Sequence, residues 1–183
     1  MREAHDLLIE YGFRRSLLST AVKHAHLAVR EGCQEIMDIS AQAAVPLLVF
    51  SAGIADVLEE VCRQQLPKPL PDTVHVVSNR MLFSSFATSS LPSSSSSPTN
   101  TIEASNKDQE VKEEGVLIGF TDPVFHVFNK RAASVLETSP YFHQDDYEHR
   151  KNVVLVGDSL GDLHMSDGLD AEEILRVGFL NDR

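Results

Sequence analysis

The sequence predicts an α/β fold with a parallel sheet. Apolar segments of strand length alternate with segments of helical apolar spacing, the pattern of a sheet whose strands are joined by helices. Two of the strands, at 45–50 and 152–156, end abruptly in small and polar residues. The second runs Val153-Val154-Leu155-Val156-Gly157-Asp158-Ser159-Leu160-Gly161-Asp162, with two acids four positions apart. Ligands of open parallel sheets bind beyond the carboxyl ends of the strands, and Ser51 and Asp158 both fall at such ends.

The elements follow in order. Ser16 can cap a helix whose apolar stripe is Leu18, Val22, Ala25 and Val29, with Gly32 as its stop. A second helix is expected over 34–42. The run Val45-Pro46-Leu47-Leu48-Val49-Phe50 reads as a buried strand. It passes through Ser51-Ala52-Gly53 into a helix over 55–65, with Val57, Leu58, Val61 and Cys62 on one face. A strand over 74–78 follows a Pro-rich turn.

Segments 79–83 and 115–120 read as the two strands of a hairpin. Between them, at about 84–114, lies a Ser-rich insertion expected to be disordered. Nine of the fifteen residues from Ser84 to Pro98 are serine, too polar a composition to bury a core. A long loop adds little closure entropy, so the hairpin tolerates it. An extended segment through Phe128, a short helix over about 130–137 and an acidic turn at Gln144-Asp145-Asp146 come next. After the strand at 152–156, a helix over 171–175 and an apolar piece, Val177-Gly178-Phe179-Leu180, close the chain.

The 183 residues with 42% apolar content suit one domain with a small appendage. A net charge of -11 argues against a nucleic-acid polymer as partner. Cys33 and Cys62 show no metal spacing and read as ordinary thiols of a reducing compartment. No apolar run approaches the roughly 20 residues of a membrane helix. The first residues lack the apolar core of a secretory signal, so a cytoplasmic protein without membrane attachment is expected. The eight histidines form no ligand pattern: His24 and His26, two apart, point to different sides of a helix. Asp145, Asp146 and Glu148 read as a solvated turn.

Carboxylates at the end of a buried strand are costly unless compensated, and a divalent metal with oxygen ligands is the usual compensation. Asp158 stands where a metal could sit. Asp162 fits either a second ligand or a holder of a lysine and backbone amides. Ser51-Ala52-Gly53 reads equally as a plain turn or as an anion site made of a hydroxyl and N–H groups. Lys130, beside Asn129, fits a phosphate neutraliser or a solvated lysine. Gly157-Asp158-Ser159-Leu160 also matches the name motif of a serine esterase family. There Ser159 would be the nucleophile, but the downstream Asp-x-x-His such enzymes need is missing.

The order Phe50-Ser51-Ala52-Gly53, Asn129-Lys130 and Gly157-Asp158-Ser159-Leu160-Gly161-Asp162 resembles haloacid-dehalogenase-type phosphatases. Three longer blocks resemble the cytosolic 5'-nucleotidase III family, also called pyrimidine 5'-nucleotidases. They are Val49 through Glu60, His126-Val127-Phe128-Asn129-Lys130, and the acidic block with His164-Met165-Ser166-Asp167-Gly168 and Gly178-Phe179-Leu180-Asn181-Asp182-Arg183. The resemblance implies a HAD-like Rossmannoid sheet, with 1–32 as a remnant of a helical cap and 33–183 as the core. It implies Mg²⁺-dependent hydrolysis of nucleoside 5'-monophosphates, pyrimidine nucleotides such as CMP or 7-methyl-GMP, by a monomeric enzyme. Ser51 and Ala52 would hold the substrate phosphate, Lys130 would offset phosphoryl charge, Asp158 would bind Mg²⁺ and Asp162 would support the acidic loop.

The family forms an aspartyl-phosphate on an Asp-x-Asp-x-Thr block, and no such block stands among these residues. The resemblance implies a chain that begins inside the cap, without the central nucleophile strand between the Ser51 and Asp158 strands. The flanking strands, about 10 Å apart, would then close up or leave open edges. Such a chain is expected to be poorly stable or inactive by itself. It would be a piece of an active enzyme, or a truncated protein that binds Mg²⁺, nucleotide or a partner without turnover.

Overall fold

The structure, a computed structural model, describes residues 2–84, 115–126, 129–134 and 150–180. The elements are α1 (Arg2–Glu10), α2 (Leu18–His24), α3 (Cys33–Gln42), β1 (Leu47–Ile54), α4 (Ala55–Gln65), β2 (Val74–Asn79), β3 (Met81–Phe83), β4 (Leu117–Phe120), β5 (Asn152–Gly157) and β6 (Glu173–Gly178). Both helices and parallel strand pairs are present, as the alternating pattern predicts. The Ser-rich insertion beyond Ser84 and the acidic turn at 144–146 lie outside the described residues.

Strand β1 pairs in parallel with β2, from Leu47↔Val74 to Phe50↔Val77, and β5 with β6, from Asn152↔Glu173 to Gly157↔Gly178. The hairpin β3–β4 is antiparallel, with Met81 opposite Phe120. Among the described residues each pair is its own two-stranded sheet, so β1 and β5 have not closed up into one ladder. A cavity of about 250 Å³ touches both, lined by Leu47, Leu48 and Phe50 on one side and Val153, Val154 and Leu155 on the other. The Arg150 guanidinium donates to the Ala44 carbonyl oxygen at 2.7 Å beside it.

A small apolar core holds the parts together. Phe50 from β1, Phe125 and Ala132 are buried as one cluster, with Leu48, Val77, Met165 and Leu169 packed against it. The Phe50 and Phe125 rings meet edge to face, centroids 5.4 Å apart, a favoured aromatic geometry. This cluster links the end of β1 to the segment around Lys130 and to the loop after β5. Helix α1 attaches elsewhere: His5 stacks on Phe120 at 3.9 Å, and the Leu117 N–H donates to the Phe13 carbonyl oxygen at 2.7 Å.

Four expectations are corrected. The helix expected from Ser16 is α2, which starts after a 3-10 turn containing Ser16 and stops at His24, well short of Gly32. Gly32, at φ +86°, precedes α3 instead, in a backbone region where glycine carries no Cβ penalty. Strand β1 runs on through Ser51, Ala52 and Gly53, because Ile54 still pairs with Asn79 beyond an irregularity. The expected helix at 130–137 is a 3-10 turn over Ala132–Ser134, the residues beyond it lying outside the described set. The expected helix at 171–175 is strand β6. Ala171, Glu172 and Glu173 favour a helix locally, but Ile174, Leu175 and Val177 take strand pairing with Val153, Val154 and Val156.

Candidate functional site

At the end of β1, the Gly53 N–H donates to the Ser51 hydroxyl oxygen at 3.0 Å. That contact uses the oxygen as acceptor and leaves its O–H able to donate. Ala52 is buried. The Ser78 hydroxyl donates to the Gly53 carbonyl oxygen at 2.9 Å. Asn79, fully buried, donates through Nδ2 to the carbonyl oxygens of Ala52 (2.9 Å), Gly53 (3.0 Å) and Phe125 (3.0 Å). Its Oδ1 accepts the Phe125 N–H at 2.7 Å.

Asn129 shapes the next stretch. Its Oδ1 accepts the His126 N–H at 2.6 Å and its Nδ2 donates to the Val124 carbonyl oxygen at 3.0 Å. The Ser134 hydroxyl donates to the Asn129 carbonyl oxygen at 2.9 Å. The backbone then bonds to the loop after β5: Ala132 N–H to Met165 O and Ala133 N–H to Asp167 O, both 2.9 Å. Gly168 follows at φ +95°, and a Cβ there would come within 2.7 Å of the Ala133 Cβ. Asp167-Gly168 is therefore a close contact with the Lys130 segment as well as a turn.

Lys130 Nζ forms an ion pair with Asp162 Oδ1, their side chains only 14% and 9% exposed. Asp162 Oδ2 accepts the backbone N–H groups of Asp158 and Ser159, each at 3.1 Å. Both Asp162 oxygens are thus engaged, by a cation and by two amides. Of the two roles open to it in sequence, the geometry is that of a lysine and amide holder. Burial pushes its carboxyl up, but the Lys130 ammonium and the Ser159 and Asp158 amides outweigh burial and hold it below the usual carboxylate range.

Ser159 takes part as well. It caps the short 3-10 turn Leu160–His164, in a reciprocal box with Asp162. The spacing Ser159-Leu160-Gly161-Asp162 is the sequence signal for that box. Gly157 lies under Asp162, and a Cβ at Gly157 would stand 2.5 Å from Oδ2 and 2.8 Å from Cγ. Asp158 is exposed, on a cavity of about 280 Å³ that Arg176 and Phe179 also line. Among the described residues no three His, Cys, Asp or Glu side chains gather as a metal cluster. No described helix is long and apolar enough to cross a membrane.

The structure thus joins Lys130, Asp162 and the Asp158 backbone directly, and links Ser51-Ala52-Gly53 to the Lys130 segment through Asn79 and Phe125. Sequence reasoning missed Asn79, which looked like one end of a hairpin strand. Its signal would have been the polar pair Ser78-Asn79 closing the β-branched run Val74-His75-Val76-Val77.

A family model described as pyrimidine 5'-nucleotidase (UMPH-1) matches residues 1–111 and 95–183. The chain belongs to this family. It is 35% identical over 182 residues to the 7-methylguanosine phosphate-specific 5'-nucleotidase of Mus musculus, covering 99% of this chain and 50% of that protein. It is 26% identical over 179 residues to the putative cytosolic 5'-nucleotidase 3 of Caenorhabditis elegans, covering 97% of this chain and 39% of that one. The solved structure of cytosolic 5'-nucleotidase IIIB bound to cytidine superposes with a TM-score of 0.61 at 29% identity, over 90% of this chain and 43% of that chain. The chain spans about half the length, or less, of these relatives. With the family comes its HAD-like α/β fold.

Proposed function

We propose that these residues form the phosphate- and metal-holding part of a Mg²⁺-dependent 5'-nucleotidase. The reaction is hydrolysis of a nucleoside 5'-monophosphate, a pyrimidine nucleotide or 7-methyl-GMP, to nucleoside and phosphate. The observation that carries this reading is the buried Lys130–Asp162 pair at the end of β5, in a chain of the 5'-nucleotidase family. Relatives named for 7-methylguanosine phosphate, and a neighbour bound to cytidine, support the substrate class. The cytosolic names among them support a cytoplasmic location, and we take the protein to act as a monomer.

Each residue has a role in that reading. The Ser51 hydroxyl and the Ala52 N–H donate to phosphate oxygens. Lys130 keeps one N–H on Asp162 and aims the others at the phosphoryl group, whose charge it offsets. Asp162 anchors Lys130 and fixes the backbone of Asp158. Asp158 is the carboxylate offered to Mg²⁺, an ion commonly held by one or two carboxylates plus water and substrate phosphate. Bound there, Mg²⁺ supplies Lewis-acid stabilisation of phosphoryl charge. An Asp nucleophile is the remaining requirement, and these residues hold no Asp-x-Asp-x-Thr block. In our reading it arrives on a further strand between β1 and β5, where the cavity of about 250 Å³ meets both strands. Alone, the 183 residues bind nucleotide without turning it over.

Calorimetric titration of the chain with CMP, with and without Mg²⁺, tests this. Mg²⁺-dependent binding that weakens at least about tenfold in Lys130→Met and in Asp158→Asn is the expected result. Equal affinity in all three proteins, or no binding by any of them, would overturn it.

A further inference from the structure

Asn79 is buried to 0% exposure and spends its whole amide on two separate pieces of backbone. One is the Ala52-Gly53 end of β1; the other is Phe125, five residues before Lys130. The contacts are not the ladder of any sheet, since the side chain makes them. Phe125 is held at both its N–H and its carbonyl oxygen, which fixes its peptide orientation as well as its distance. Asn129, next to Lys130, is bonded in turn to the His126 N–H and the Val124 carbonyl oxygen on either side of Phe125. We infer that Asn79 is a positioning residue, one that sets the Ser51-Ala52 donors against Lys130 so that they converge on one phosphate. The inference rests on the phosphate-holding role proposed for those residues.

A merely structural Asn79 would support the fold and affect binding only as far as it affects stability. A positioning Asn79 affects binding at a given stability, because small displacements of converging donors are costly. Leu117, 1% exposed in the hairpin, provides a matched comparison, since it lies outside the Phe50–Phe125–Ala132 cluster and Leu117→Ala destabilises while leaving the Asn79 hydrogen-bonding groups in place.

The experiment titrates inorganic phosphate, in the presence of Mg²⁺, into the unaltered chain, Asn79→Ala, the milder Asn79→Ser and Leu117→Ala. Thermal midpoints are recorded alongside. The expected result is about tenfold weaker phosphate binding in whichever Asn79 variant folds, and near-unaltered binding in Leu117→Ala at an equal or lower midpoint. Phosphate binding by the unaltered chain that persists in an Asn79 variant, or that falls equally in Leu117→Ala, overturns the positioning role alone. That role is likewise overturned if neither Asn79 variant folds while Leu117→Ala does, since the residue is then structural. Absence of phosphate binding by the unaltered chain overturns the functional reading and this inference together.

Discussion

Lys130 and Asp162, thirty-two residues apart, form a buried ion pair whose carboxylate also ties down the Asp158 and Ser159 amides. Removing one partner strands the other. Asp162→Asn keeps the shape but leaves the Lys130 ammonium, 14% exposed, without its counter-charge. We expect a loss of about 3 kcal/mol in urea unfolding, as for buried pairs broken from one side. The double variant Asp162→Asn with Lys130→Met should recover much of it, which a double-mutant cycle measures.

The same pair gives stability an acid limb. The Asp162 carboxyl titrates below its unfolded range, so between the folded and unfolded values the unfolded chain binds more protons. Its stabilisation is complete above the ordinary carboxylate pKa of about 3.9 and is lost as pH falls through the lower folded value. Unfolding followed from pH 5 to pH 2 should show a shallower loss in the double variant than in the unaltered chain.

Gly157 and Gly178 face each other across β5 and β6, yet their surroundings differ. A Cβ at Gly157 would stand 2.5 Å from Asp162 Oδ2, whereas one at Gly178 would have no described atom within 4 Å. Gly157→Ala should cost about 2 kcal/mol by overpacking and weaken Mg²⁺-dependent CMP binding by displacing Asp162. Gly178→Ala should change neither. Paired urea melts and titrations of the two variants check this.

His5 is 5% exposed, stacks on Phe120, and its Nε2 is without a hydrogen-bond partner among the described residues. Burial lowers its pKa against the raising effect of Asp6. The unfolded chain therefore binds the proton first on acidification. No penalty applies well above the ordinary value of about 6.5, and one grows as pH falls below it. His5→Phe keeps the stack and removes the charge. Its urea midpoint should fall less between pH 7.5 and pH 5.5 than that of the unaltered chain.

Local signals carried much of the fold. Helix α4 and strands β2 and β5 are legible because helical spacing over 55–65 and short β-branched runs agree with their tertiary setting. Strand β6 was hidden by the helix-favouring Ala171-Glu172-Glu173, since only the long-range partner β5 decides that segment. In the site, Ser51, Lys130, Asp158 and Asp162 stood out by residue type and order. Whether Asp162 meets a metal or a lysine depends on where Lys130 folds, which spacing cannot tell. Asn79 was invisible for the same reason, its partners at Ala52 and Phe125 being 27 and 46 residues away.

In our reading the phosphate and metal site lies within these residues and the nucleophile outside them. Phosphate release from CMP by the 183-residue chain, measured with and without Mg²⁺, is the sharpest test of that division. No release above that of a Lys130→Met control is expected. Robust Mg²⁺-dependent turnover, abolished in that control, would contradict it and place a nucleophile within these residues.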